Sequence, residues 1–173
     1  MDEFELTYLP KKELMTKLPG CRSVEMLDIY IPVSAHHPTL RIRKIGDRCM
    51  ITKKEPVKEG DSSHQFENTI PLTDDEFTDL SQLAGKRVHK TRYYFEDGGY
   101  IYEIDVFHDD LAGLVMVDVE FGSVDAKSRF VRPQWCSIDV TQEKFLAGGM
   151  LCGKKYEDIA VQLENVGYER ILF

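Results

Sequence analysis

Apolar and polar residues alternate along much of the chain, and the alternation predicts eight strands: 2–8, 26–33, 39–45, 48–54, 64–71, 87–96, 99–107 and 114–121. A period of two sends successive side chains to opposite faces, so each run has an apolar and a polar face. "EDGGY" (96–100) joins the sixth and seventh runs as a hairpin, because glycine supplies the positive φ angles of a tight turn. Helical spacing is rarer. The clearest case follows "LTDDEF", where Thr73 caps, Glu76 completes a capping box, and the helix runs to near Gly85. Other helices are predicted at 10–17, 123–130, 141–148 and 154–166. Eight strands with scattered helices predict an α+β fold, an antiparallel sheet closed as an eight-stranded barrel.

The polar faces are sorted by sign. "EFEL" carries Glu3 and Glu5, "YEIDVF" carries Glu103 and Asp105, and "LVMVDVEF" carries Asp118 and Glu120. "LRIR" carries Arg41 and Arg43, and "HKTRY" carries Lys90 and Arg92. Lys54 ends "MITKK", and Glu67 sits inside "HQFENTI". A charged face in water accounts for alternation equally well. Such faces usually mix charges, however, since like neighbours destabilise a strand by roughly a few tenths of a kcal/mol. Sorted faces suit an enclosed space: carboxylates around hard divalent cations on one side, arginine and lysine around a polyanion on the other.

Composition narrows the partners. With 173 residues, 42% hydrophobic and 30% charged, the chain can bury a core and is read as one domain, 1–173. A net charge of −8, with no block of five or more Lys/Arg, argues against extended nucleic acid. No run approaches the ~18 apolar residues of a membrane span, and the acidic N-terminus does not read as a signal peptide; a cytoplasmic location is expected. Cys21, Cys49, Cys136 and Cys152 form no C-x-x-C pair and read as reduced structural thiols. "KKEPVKEGDSS" (53–63) and "SAHHPT" (34–39) read as loops, the latter placing His36 and His37 in solvent.

The segments "EFEL", "LRIR", "ITKK", "GKRVHKTRY", "YEIDVF" and "LVMVDVEF", in this order and spacing, resemble the CYTH superfamily of triphosphate tunnel metalloenzymes, in its short bacterial inorganic triphosphatase form. The likeness runs from about residue 3 to residue 144. It implies a barrel whose lumen binds a triphosphate with Mg²⁺ or Mn²⁺. By position, Glu3, Glu5, Asp118 and Glu120 match the metal-binding acids, and Glu67 and Asp105 match further metal-side acids, with Glu103 beside them. Arg41, Arg43, Lys54, Lys90, Arg92 and Lys144 match the substrate-binding cations. The implied chemistry is hydrolysis of a phosphoanhydride. Glu3, Glu5 and Glu120 would hold a water-activating ion, while Lys90 and Arg92, with the other cations, would stabilise the leaving pyrophosphate.

Departures from the pattern accompany the likeness. Thr7 stands where lysine is expected after the first two acids, Ser63 and Gln65 replace an arginine and a glutamate, and "LAGG" replaces the residues expected after Lys144. His64 and His89 are read as outward, and His108 has no assigned role. The alternative functions are a nucleotide-directed enzyme of this family (a nucleoside or thiamine triphosphatase, or a class IV-type adenylyl cyclase) and a non-catalytic binder of polyphosphate or nucleotide. Tyr30, Phe66 and Tyr93 are candidates to stack on a base, with packing as the plainer reading. Expected partners are a small phosphate-rich substrate and no membrane, with the chain a monomer or homodimer. The closing "GYERILF" is expected to pack on the barrel or on a second subunit.

Overall fold

A computed structural model describes residues 2–172. Its strands are β1 (Asp2–Pro10), β2 (Arg22–Ile31), β3 (Leu40–Ile45), β4 (Arg48–Pro56), β5 (His64–Leu72), β6 (Lys86–Asp97), β7 (Tyr100–Phe107), β8 (Val115–Phe121) and β9 (Cys136–Asp139). The helices are α1 (Asp74–Leu80), α2 (Val124–Ser128), α3 (Gly148–Leu151) and α4 (Tyr156–Asn165). Strands run β5-β4-β3-β2-β6-β7-β8-β1, and β1 pairs back onto β5. Eight antiparallel strands therefore close into a barrel with no free edge.

β1 closes it by changing partners along its length: residues 2–4 pair with β5, 4–8 with β8, and 8–10 with β9. The hairpin at 97–100 forms as expected, with Gly98 and Gly99 at φ 58° and 83°. The capping box also forms: Glu76 N donates to Thr73 Oγ1 (3.2 Å) and Thr73 N to Glu76 Oε2 (2.8 Å).

Four segments differ from the expectation. The helix expected to run to near Gly85 ends at Leu80. β9 reads as too short to show a period. The 10–17 helix is a 3₁₀ helix over Lys12–Lys17. The 141–148 helix is replaced by a 3₁₀ turn, Lys144–Leu146, and then α3. At its expected start, Asp139 Oδ1 accepts from both Thr141 N (3.0 Å) and Thr141 Oγ1 (2.7 Å), a turn that competes with helix. At its end, Gly148 and Gly149 are poor helix formers.

The main hydrophobic core lies outside the barrel. Outward residues of β7 and β8 (Tyr102, Ile104, Val115, Val117, Val119) pack with Leu9, Leu14, Leu146, Leu151, Ile159, Leu163, Tyr168 and Ile171. At about 1.5–3 kcal/mol for each large aliphatic side chain fully buried, this outer layer holds the wall. The C-terminal segment is pinned to it by Tyr168, whose hydroxyl accepts from Val115 N and donates to Gly113 O. Phe173 lies outside the described residues. The four cysteines are free, and no helix among the described residues is long and apolar enough to cross a membrane.

Candidate active site

Because the core takes the outer faces, the sorted polar faces turn into the barrel. Register brings them together: Glu5 lies opposite Glu120, Thr7 opposite Asp118, Asp118 opposite Glu103, and Asp105 opposite Arg92. On the other side Asp28 lies opposite Arg43, Tyr30 opposite Arg41, and Lys54 opposite Glu67.

At the centre every charge is matched. Asp105 is 1% exposed and accepts from Arg92 Nε and Nη2, both at 2.7 Å, and from Lys90 Nζ. Arg92 also donates to Glu103 and lies 3.8 Å from Asp118. Asp28, 2% exposed, accepts bidentately from Arg43 at 2.6 and 2.7 Å. Burial alone would raise both aspartates; Arg92 with Lys90, and Arg43 with Arg41, overcome it and hold both carboxyls well below the usual range. Lys90 is pulled down from its ordinary value by burial and by neighbouring Arg92 and Arg43, against the opposing pull of Asp105.

Towards the open end the match fails. Lys54 Nζ lies 2.9 Å from both Glu3 and Glu5, one ammonium between two carboxylates. Glu5 is raised from its ordinary value by burial, with Asp118 and Glu3 adding to it and Lys54 opposing. Glu120 is reached by water yet walled by protein. Burial, then Glu103, Glu3 and Glu5, push its carboxyl up to about 7. As the side chains stand, no three His, Cys, Asp or Glu among the described residues converge closely enough to hold a metal ion.

The remaining predicted residues occupy the flanks. Arg41 faces Glu67 at 3.7 Å and stands across from Tyr30, while its buried Nε has no partner among the described residues. Glu67 also accepts from Thr69 Oγ1 (2.7 Å). Lys144 is exposed on its 3₁₀ turn, and its charge acts on His37. Thr7 Oγ1 donates to Asp118 Oδ1 (2.8 Å), and Ser63 is met by Lys127 Nζ of α2 (2.6 Å). Gln65 reaches the Ser62 carbonyl (2.8 Å). His89 lies on the outer wall, between Glu25 (2.7 Å) and Asp109 (3.0 Å), and His108 meets Thr91 (2.7 Å). Of the candidate stacking residues, Tyr30 is buried against Arg41, and Phe66 is exposed.

Sequence reading missed Asp28 and Lys127, and named Tyr30 only as a candidate to stack on a base. Asp28 and Tyr30 carry a signal: in "MLDIYI" they interrupt an apolar run two residues apart, the same spacing as the charged pairs.

No protein-family model matches the chain. Two curated relatives do. An inorganic triphosphatase of Nitrosomonas europaea is 32% identical over 142 residues, 80% of this chain and 92% of the relative. An inorganic triphosphatase of Acetivibrio thermocellus is 28% identical over 121 residues, 69% and 75% of the two chains. Among solved structures, the inorganic triphosphatase NE1496 superposes with a TM-score of 0.60 at 27% identity, covering 87% of this chain and 93% of that one. A conserved hypothetical protein of Pyrococcus furiosus shares the fold (TM-score 0.53, 18% identity, 96% and 91% covered). A closed antiparallel barrel with an ion-paired lumen defines a triphosphate tunnel protein. With a relative at this identity and coverage, the chain belongs to the CYTH triphosphate tunnel family.

Proposed function

We propose that the chain is a divalent-metal-dependent triphosphatase that hydrolyses a phosphoanhydride bond of inorganic tripolyphosphate or another triphosphate inside the barrel. The observation that carries this is charge balance. The lumen gathers eight carboxylates (Glu3, Glu5, Asp28, Glu67, Glu103, Asp105, Asp118, Glu120) and five cations (Arg41, Arg43, Lys54, Lys90, Arg92). A polyanion entering that space alone would meet excess negative charge, concentrated around Glu120.

The donor set fits Mg²⁺ or Mn²⁺. Glu3, Glu5, Asp118 and Glu120 offer only oxygen, and the raised carboxyls of Glu5 and Glu120 mark the place where positive charge is short. Such an ion, when bound, supplies Lewis-acid neutralisation of phosphate oxygens and a more acidic bound water. Glu67 and Asp105 contribute differently in this reading. Asp105 aligns Lys90 and Arg92 from behind, and Glu67 holds Arg41 to the wall.

Arg41, Lys90 and Arg92 bind the phosphate chain, with Arg43 fixed in place by Asp28. Their fixed positions stabilise charge that develops on the leaving phosphates with little reorganisation. Lys54, now shared by Glu3 and Glu5, would be released to phosphate oxygens if those carboxylates held an ion. Thr7 holds Asp118 by its hydroxyl where a further cation is absent. Lys144 meets substrate only at the tunnel entrance.

The test is phosphate release from tripolyphosphate with Mg²⁺ or Mn²⁺. Release by the native chain that vanishes in Arg92→Ala supports the assignment; no release with either metal overturns it.

A further inference from the structure

α3 carries two glycines whose conformation does not require glycine. Gly148 and Gly149 are absent from the positive-φ residues, yet neither site has room for a side chain. A Cβ on Gly149 would lie 2.3 Å from the Pro38 carbonyl oxygen. A Cβ on Gly148 would lie 2.1 Å from the Tyr30 hydroxyl oxygen and 3.0 Å from Cζ. What these positions reserve is space.

That space belongs to a lumen residue. Tyr30 is 5% exposed and stands directly across from Arg41 in the β2–β3 register, where the phenol and the guanidinium interact electrostatically. Arg41 otherwise has Glu67 at 3.7 Å and a buried, unpartnered Nε. α3 cannot retreat easily, because Leu146 and Leu151 on either side of the glycines are 3% and 1% exposed. Any side chain at 148 therefore displaces the phenol that backs Arg41 across the β2–β3 pair.

We propose that Gly148 is a positioning residue for substrate binding: its missing side chain lets Tyr30 hold Arg41 towards the phosphate chain. The proposal rests on the tunnel as the triphosphate site and adds to it a contact from outside the barrel strands. Loss of one polar contact to a charged group corresponds to about tenfold in affinity, so Gly148→Ala should raise KM for tripolyphosphate about tenfold, with kcat changed less than about threefold.

The experiment is a double-mutant cycle with Tyr30→Phe, which removes both the clashing oxygen and the hydroxyl that acts on Arg41. Tyr30→Phe alone should raise KM by a similar factor. The double variant Tyr30→Phe/Gly148→Ala should be no worse than Tyr30→Phe. If Gly148→Ala fails to fold, rescue of folding by Tyr30→Phe supports the same coupling. Additive effects, an unchanged KM in folded Gly148→Ala, or a double variant that also fails to fold would each overturn it. The native chain is the internal control: if it neither binds nor hydrolyses tripolyphosphate, the tunnel assignment fails first; if it does and the cycle is additive, only the role of Gly148 falls.

Discussion

The two halves of the lumen use the same residue types to opposite ends. Around Asp105 and Asp28, every buried carboxylate has an arginine fork, and both acids are held strongly ionised. Around Glu120, acids face acids, one lysine serves two of them, and protonation is favoured. Complete pairing makes a rigid wall that fixes cations in space. Incomplete pairing leaves repulsion that, on the proposed function, an incoming cation would relieve. Structure and the proposed chemistry are thus separated along one tunnel, and the shortfall in charge is where the proposed function puts the metal ion.

The sharpest way to break this contrast is to remove a carboxylate from each half. Asp105→Asn leaves Lys90 and Arg92 buried without their shared counter-ion and should cost about 3–5 kcal/mol in urea unfolding. A loss under about 1 kcal/mol would show the centre to be less tightly coupled than its geometry implies. Glu120→Gln should leave metal-free stability unchanged or slightly raised, since it removes a repelled charge, while phosphate release disappears. A strongly destabilised Glu120→Gln would mean that the acidic end is also structural.

An intermediate effect is expected at Thr7. Thr7→Val removes the hydroxyl that Asp118 accepts and should cost about 1 kcal/mol of stability and several-fold in kcat/KM. Stability falling with kcat/KM intact would restrict Thr7 to packing.

The smallest effect belongs to the outer wall. At His89, burial lowers the pKa, but hydrogen bonds to Glu25 and Asp109 outweigh it and raise the net value. A raised folded-state pKa gives stability that is present below the unfolded value of about 6.5 and is lost as pH rises through the folded one. Both carboxylates are well exposed, so the gain is at most about 1 kcal/mol. His89→Gln should therefore lower the melting temperature slightly at pH 5.5 and not at pH 8.5. An equal loss at both would assign the effect to packing.

Much of this contrast was legible in the sequence. Period two sorted lumen from wall, because a strand offers two faces and the sign pattern labelled one of them. The eight barrel strands and the acid and cation sets followed from that alternation. Pairing was not legible, since it depends on closure: Lys54 meets Glu3 and Glu5 only when β1 reaches β5, and Asp28 finds Arg43 only through the β2–β3 register. In sequence Gly148 is only the last residue of the expected 141–148 helix. Its steric role exists only because α3 folds back onto Tyr30.

The most direct test of the separation is thermal unfolding of the native chain and Glu120→Gln with and without Mn²⁺. An ion that binds only the folded state at a hundred times its dissociation constant adds about 2.7 kcal/mol, a shift of several degrees. The native chain should show that rise, EDTA should reverse it, and Glu120→Gln should show little or none. An equal rise in both proteins, or none in the native chain, would contradict the assignment of the acidic end as the metal site.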